Sequence, residues 1–556
     1  MNKLSTPDYI VFALYFIVIV VYGIYIFRKK KNEHADSKDY FLAEGSLTWW
    51  AIGASLIASN ISAEQFIGMS GSGFSMGLAI ATYEWMAAFT LIIVAVFFLP
   101  VYIKNNIYTM PQFLAQRYNT KVALIMSVFW LLLYVVVNLT SILYLGALAL
   151  TSISGINISV AMIFLSVFAV MITIGGMKVI GYTDVIQVLF LILGGLVTTY
   201  LAINLVATHN GLAGIGNGLT AIKQNAADHL HMIFSKTDSH YMDLPGLSVL
   251  IGGMLIVNLN YFGCNQYITQ RALGANLNTA RNGLLFAAFL KLLMPIIVVL
   301  PGIAAYTLYK QGLFQNELMQ DGVLNPDKAY PTLLNLLPAG LKGLSFAALT
   351  AAIVASLAGK ANSIATIFTL DIYKKYFNKN ASETQLVQIG KITIIVALIL
   401  AIIIAPFLGI DKKGGFQYIQ EYTGFVSPGV FAMFLLGLFW KKTTANAALF
   451  ATIGGFIFSI VLKVLPAFIN LSVLYSIGFA VPNAQGVFEI PFIDRMSIVF
   501  VACIIGMYFI SIYDAKRGVK TNGMQVALSE FKTTVTFTLL SITVILILVV
   551  LYTVFW

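Results

Sequence analysis

A chain of 556 residues that is 59% apolar and only 10% charged is not a water-soluble protein, which carries about 25% charged residues. Its mean hydropathy of +0.88 places it among polytopic membrane proteins. The net charge of +11 does not mark a nucleic-acid partner, because the positive residues are sorted into alternate loops.

The apolar runs mark an all-α polytopic membrane protein of roughly 14 transmembrane helices. The first run, about 8–27, is long enough to span and is followed by Arg28-Lys29-Lys30-Lys31, so it is expected to remain as an anchor. Loops after odd-numbered spans hold most of the lysine and arginine, including Arg28 to Lys31, Arg117, Arg271, Arg281, Lys374, Lys441 and Arg517. By the positive-inside rule these loops are cytoplasmic, and both termini lie outside the cytoplasm. Cys264 and Cys503 sit in separate apolar stretches and offer neither a disulfide framework nor a metal spacing.

The second span starts at Trp49-Trp50 and does not read as a smooth helix. Ser59-Asn60-Ile61-Ser62-Ala63-Glu64-Gln65 interrupts it, and Gly68, Gly71 and Gly73 follow. Polar and glycine-rich sequence at membrane depth must face protein or a wet cavity, because hydrocarbon satisfies no backbone group. The third span carries Glu84 about ten residues from its outer end, about 15 Å deep and so near the midplane. Asn138, Thr140 and Ser141 lie in the fourth, and Thr183-Asp184 opens the sixth.

The loop 207–245 holds His209, His229, His231 and His240. Asp228-His229-Leu230-His231 is compact but has no metal-site spacing, and the loop reads as exposed. The seventh span is again irregular, with Gly252-Gly253 and then Asn258, Asn260, Tyr261, Gly263, Asn265 and Gln266. Lys291, in the eighth, lies at midplane depth. Glu84, Asn258 and Lys291 therefore come from three helices at one depth, which predicts a shared polar pocket. The ninth span, with Ala351-Ala352 and Ala355-Ser356-Leu357-Ala358-Gly359-Lys360, is built of small residues that permit close helix approach. The eleventh opens Phe416-Gln417-Tyr418-Ile419-Gln420-Glu421, and the last three carry few polar residues.

The second and seventh spans are the irregular ones, five apart. An odd separation inverts the second set of five relative to the first, as in transporters whose site lies between two broken helices. The expected organisation is a peripheral helix (1–30), a first five-helix repeat (49–206), a second inverted repeat (246–440) and three peripheral helices (441–556). No histidine at membrane depth, nucleophile–base pair or nucleotide loop suggests an enzyme.

Several stretches carry a family resemblance: ASLIASNISAEQFIGMSGSG (54–73), LAIATYEWM (78–86), VNLTSILYLG (137–146), TDVIQV (183–188), FAAFLK (286–291), IATIFTLDIYK (364–374), FQYIQEYTG (416–424) and LLGLFWKKTT (435–444). With these the chain resembles the sodium/solute symporter family, in its bacterial sodium/galactose (sodium/glucose) cotransporter branch, from about Asp8 to Trp556. The resemblance implies a 5+5 inverted-repeat (LeuT-type) core. It implies sodium-coupled import of a neutral sugar by alternating access across the inner (plasma) membrane, with the lipid bilayer and the sugar as partners and no obligate protein partner. It also implies that Gln65, Glu84, Asn258, Lys291 and Gln420 contact the sugar and that Tyr261 stacks on it as the inner gate, with Asn60 and Tyr83 nearby. For Na+ as coupling ion it implies the carbonyls of Ala58, Ile61 and Ala352 with the hydroxyl of Ser356, and Asp184 as a secondary cation stop near the exit.

Three positions depart from the family pattern. Ala355 stands where a second hydroxyl is expected beside Ser356. Lys360 lies four residues after Ser356 on the same helix face. Ala87 replaces a serine near the sugar. Either Lys360 turns elsewhere and sodium coupling persists, or its ammonium stands in for the ion in a sodium-independent or proton-coupled carrier. Another polar solute, such as inositol or sialic acid, is the alternative substrate.

Overall fold

The computed structural model describes residues 4–29, 47–174, 176–320, 322–408, 415–483, 485–524 and 527–556. The side chains of the basic run at 28–31 lie outside what is described. Helices account for nearly all regular structure, and two two-stranded hairpins, at Met319–Leu324 and Val481–Glu489, complete it. Among the described residues ten helices are long and apolar enough to cross a membrane, or up to twelve if two sharply bent pairs each form one span. The class expected from the sequence is thus matched, with ten to twelve spans among the described residues where roughly 14 are expected.

In chain order the helices include α1 (Thr6–Lys29), α2 (Trp49–Asn60), α3 (Glu64–Met69 running into Ser70–Met76), α4 (Thr82–Ile93, continuing to Lys104), α5 (Thr120–Ser154), α6 (Ile158–Thr173) and α7 (Gly176–His209), with shorter ones at Met110–Arg117 and Ile215–Asn225. After the loop come α8 (Gly253–Cys264), α9 (Gln266–Leu273), α10 (Leu277–Lys310), α11 (Leu341–Phe377) and α12 (Glu383–Ile404). The chain closes with α13 (Gly415–Gly424), α14 (Ser427–Phe439), α15 (Ala445–Ala467), α16 (Phe492–Lys516) and α17 (Val535–Val554). Burial separates inner from outer helices. The apolar stretch of α11 is 89% buried, whereas those of α1 and α17 are 22% buried and turn leucine, isoleucine and valine side chains outward.

The expected break in the second span is present, and its local chemistry is simple. Thr48 caps the start of α2, and Ile61 leaves the helix in an extended conformation (φ −88°, ψ 105°). The chain restarts on Ser62-Ala63-Glu64-Gln65, a capping-box sequence. The Ser62 hydroxyl accepts from the Glu64 N–H (3.1 Å), and the Gln65 side-chain oxygen accepts from the Ser62 N–H (3.0 Å). The next turns, Glu64–Met69, are wide ones of the kind that cluster at functional sites.

The seventh span also breaks. α8 and α9 meet at 48°, and the Asn265 side chain caps α9 by accepting from the Tyr267 N–H. A third bend of 51°, between α13 and α14, is not anticipated by the sequence reading, which takes the eleventh span as unbroken. Ser427-Pro428 explains it, since proline is favoured in a helix's first turn and disfavours helix just before it.

Helix α10 is the beam on which the breaks are set. It packs along α2, α3, α4 and α7. Two glycine contacts fix the approach: a Cβ on Gly53 would lie 2.7 Å from the Gly283 carbonyl oxygen, and one on Gly302 would lie 2.0 Å from that of Ser70. The first contact pins α10 to α2 and the second to α3. Lys291 lies between Gly283 and Gly302 along α10 and faces the break, where it reaches Asn60 at the end of α2.

Candidate functional site

At the break, the Lys291 ammonium donates to the Glu84 carboxylate at 2.5 Å and to the Asn60 side-chain oxygen. Lys291 is 1% and Glu84 2% exposed. The pair brings together α10, α4 and the end of α2, and the Phe262 ring lies 5.8 Å from the ammonium. A buried ion pair must satisfy itself, because desolvating either charge alone is costly. What the pair presents to a solute is an ammonium and a carboxylate with no net charge, both able to hydrogen-bond hydroxyls.

The other expected residues are placed unevenly around this centre. The Tyr261 hydroxyl lies against Asn60. Gln65 is buried with its amide oxygen committed to Ser62. Asn258 donates to the Met254 carbonyl of its own helix, and no hydrogen bond joins it to Glu84 or Lys291 among the described residues. Tyr83 is buried with its ring edge-on to Phe416 at 4.9 Å. Gln420 is half-buried on α13, which packs against the wide turns Glu64–Met69.

A second polar centre lies on the other side of the same break. The Ser356 hydroxyl of α11 is 3.2 Å from the carbonyl oxygens of both Ala58 and Ser59 at the end of α2. These are carbonyls that a helix end leaves without intrahelical partners, and they carry the negative pole of the helix. Ala352 is fully buried one turn before Ser356, and Ala355 is also buried. An all-oxygen set of carbonyls and one hydroxyl suits a hard monovalent cation. Asp184, 1% exposed, accepts from the Ser55 hydroxyl at 2.6 Å and lies 3.6 Å from the Arg271 guanidinium.

Several residues here are absent from the sequence-based set. The Tyr267 hydroxyl donates to the Ser59 carbonyl, Tyr134 donates to Asn265, and Arg271 donates to the Ser55 carbonyl at 3.0 Å. Arg271, Arg117 and Arg281, expected in cytoplasmic loops, are all three buried. Each binds backbone carbonyls, Arg117 those of Gly437, Trp440 and Thr443 and Arg281 those of Ala95, Glu530 and Lys532. A guanidinium's planar fork of donors suits that task, and charge sorting alone does not distinguish a capping arginine from a solvated one. The loop 207–245 is exposed as expected at His209 and half-buried at His231 and His240, but buried at His229. His229 is 7% exposed, stacks on Tyr306 at 3.7 Å and contacts the Phe74 carbonyl through Nε2 at 3.0 Å.

A bundle of at least ten apolar spans with two buried polar centres flanking one helix break defines a membrane transporter of small solutes. Residues 40–455 match the profile of the sodium:solute symporter family. The chain is 46% identical to a sodium/glucose cotransporter of Vibrio parahaemolyticus, over 100% of this chain and 99% of that one. It is 33% identical to a human sodium/myo-inositol cotransporter 2, over 83% of this chain and 70% of the relative. Among solved structures, a substrate-bound, outward-open Na+-coupled sialic acid symporter shares the fold (TM-score 0.73, 24% identity, 92% of this chain and 98% of that one). So does Mhp1, a nucleobase-cation-symport-1 family transporter, at a TM-score of 0.52 and 14% identity over 85% of this chain and 95% of that one. The chain belongs to the sodium:solute symporter family.

Proposed function

We propose that this protein imports a neutral sugar of the galactose or glucose type together with sodium. The observation that carries the reading is the self-neutralised Lys291–Glu84–Asn60 cluster on one side of the α2–α3 break, with Ser356 facing the Ala58 and Ser59 carbonyls on the other. A paired ammonium and carboxylate suit a solute that is rich in hydroxyls and has no charge of its own. A lone cation would suit an acid better. Gln65, Asn258 and Gln420 complete the hydroxyl-binding set, Tyr261 covers the apolar face of the ring, and Asn60 and Tyr83 line its edge. The 46% identity to a named sodium/glucose cotransporter along the whole chain supports the substrate class.

Sodium is held by the carbonyls of Ala58, Ile61 and Ala352 with the Ser356 hydroxyl. Because Ala58 and Asn60 lie on one turn of α2, an ion that stiffens the end of α2 also positions Asn60 and, through it, Lys291. That is the coupling: sodium raises sugar affinity, and sugar raises sodium affinity by the same factor. Asp184, held by Arg271, guards the route by which the ion leaves. The core is a 5+5 inverted repeat within about 14 helices, with both termini outside the cytoplasm. Uptake of labelled galactose and glucose into proteoliposomes, under a sodium gradient against an equal potassium gradient, tests the proposal. Accumulation above equilibrium with sodium alone is expected. Equal uptake in both gradients would remove the coupling, and preference for myo-inositol in competition would move the substrate within the neutral polyols.

A further inference from the structure

Lys360 departs from the pattern of the family, and its surroundings give that departure a role. It is 4% exposed, and its ammonium donates to Asn138 at 3.0 Å. Three tyrosine rings surround it: Tyr267 at 4.2 Å, Tyr134 at 5.3 Å and Tyr261 at 5.8 Å. Aromatic faces hold a desolvated cation, but they do not neutralise it. Unlike Lys291, Lys360 has no carboxylate within ion-pair distance among the described residues. The carboxylate that acts on it is Glu64, at the restart of the broken helix, and the Glu64 Oε1 is buried with no hydrogen-bond partner among the described residues. The other nearby cation, Arg271, is committed to the carbonyls of Ser55 and Tyr267 and to Asp184.

Two connections tie this ammonium to the ion position. Ser356 and Lys360 lie one turn apart on the same face of α11. The Tyr267 ring beneath the ammonium ends in a hydroxyl bound to the Ser59 carbonyl, the same oxygen that Ser356 meets. At position 355, alanine supplies no oxygen. The site therefore has one neutral ligand fewer and one fixed positive charge more.

We propose that Lys360 is a tethered competitor of the coupling ion: it opposes sodium at the carbonyl end of α2, and its ammonium withdraws toward Glu64 as the ion binds. This rests on the sodium reading of Ser356 and its partner carbonyls. A lysine stem is long and flexible enough for such a move. At an effective dielectric of about 20, two unit charges some 10 Å apart repel by roughly a tenfold change in affinity. The lysine thereby sets a high sodium threshold, so that the carrier loads only where sodium is abundant.

Equilibrium binding of radiolabelled sodium to purified protein tests this without requiring any sugar. Lys360→Met is expected to lower the half-saturating sodium concentration about tenfold, with Lys360→Gln as the polar variant should the methionine fold poorly. Glu64→Gln removes the place to which the ammonium withdraws and is expected to raise half-saturation. In a Lys360→Met background the Glu64→Gln shift should disappear. Equal sodium affinity in the wild type and both lysine variants would overturn the proposal, as would a Glu64→Gln shift of the same size in both backgrounds. Sodium binding by the lysine variants alone would uphold the competitor and remove sodium coupling from the native chain. No sodium binding by any variant would remove both.

Discussion

Two lysines lie buried at membrane depth in this protein, and they are solved differently. Lys291 has a carboxylate at 2.5 Å and an amide beside it. Lys360 has an amide and three tyrosine faces. The first arrangement is electrically closed: its charges cancel, and its remaining hydrogen-bonding capacity suits neutral hydroxyls, as proposed above. The second is electrically open, a positive charge whose balance depends on what else enters the region. A buried charge with a dedicated partner belongs to the permanent architecture of a site, whereas one without such a partner is sensitive to any ion that comes near it.

The largest expected effect comes from opening the closed pair. Lys291→Met leaves Glu84 as an uncompensated buried carboxylate, which costs about 3–5 kcal/mol of stability. If Lys291 donates to the sugar as proposed, uptake should also fall roughly 100-fold or more. Thermal unfolding in detergent and labelled-sugar uptake separate the two losses. The double variant Lys291→Met/Glu84→Gln should recover most of the stability and none of the transport. Recovery of transport as well would mean that the pair is scaffolding and that the sugar is bound elsewhere.

The next effect bears on the second centre. Ser356→Ala removes a hydroxyl that meets two carbonyls at 3.2 Å, and half-saturating sodium for uptake should rise roughly tenfold, the scale of a hydrogen bond to a charged group. At saturating sodium the sugar dependence should be close to that of wild type. Ala355→Ser should shift sodium dependence the other way and by less. An unchanged sodium dependence in Ser356→Ala would place the ion away from the end of α2.

Both lysines stand out in the sequence, because a charge in an apolar run is conspicuous, and so does Glu84; the partners of Lys360 do not. The pairing of Lys291 with Glu84 follows from depth counting along two separate helices. Its contact with Asn60 depends on where α10 crosses α2, which the glycine contacts at Gly53, Gly283 and Gly302 determine and which no one-dimensional pattern reveals. The break itself is legible, since Ser62-Ala63-Glu64-Gln65 spells a helix start inside a membrane span. The cage around Lys360 is not, because Tyr134, Tyr261 and Tyr267 come from α5, α8 and α9; Tyr261 stands out only as a residue expected at the sugar, and nothing in the one-dimensional pattern brings the three rings to one lysine. The bend between α13 and α14 escapes for a related reason. Proline at a helix's first turn signals a start only if a preceding helix is known to have ended.

A smaller effect tests whether the crossing of α10 sets the closed pair's geometry. A Cβ at Gly302 would sit 2.0 Å from the Ser70 carbonyl oxygen, so Gly302→Ala must push α10 away from α3. Overpacking of this kind costs about 1–3 kcal/mol. The expected signature is a lower unfolding temperature with uptake reduced several-fold, well short of the loss in Lys291→Met. Wild-type uptake in Gly302→Ala would show that the pair tolerates movement of its beam.

The smallest effect lies outside the spans, at His229, which is buried with the Asp228 carboxylate 3.3 Å from its Nδ1. Burial holds its imidazole below the ordinary value of about 6.5, with the nearby Asp228 and the bond to Phe74 opposing that shift. The fold therefore favours the neutral ring. Its contribution to stability is complete above about pH 6.5 and is lost as the pH falls through the lowered value. The ring stacks on Tyr306 of α10, and its backbone lies against Gly77, whose φ of +71° marks the turn between α3 and α4. Protonation should accordingly loosen the loop from that turn. Between pH 7.5 and 5, roughly one unit or more on either side of the unperturbed value, wild type should lose slightly more thermal stability than His229→Gln. A parallel decline of the two proteins would show that other groups carry the acid sensitivity and that the loop is held there by packing alone.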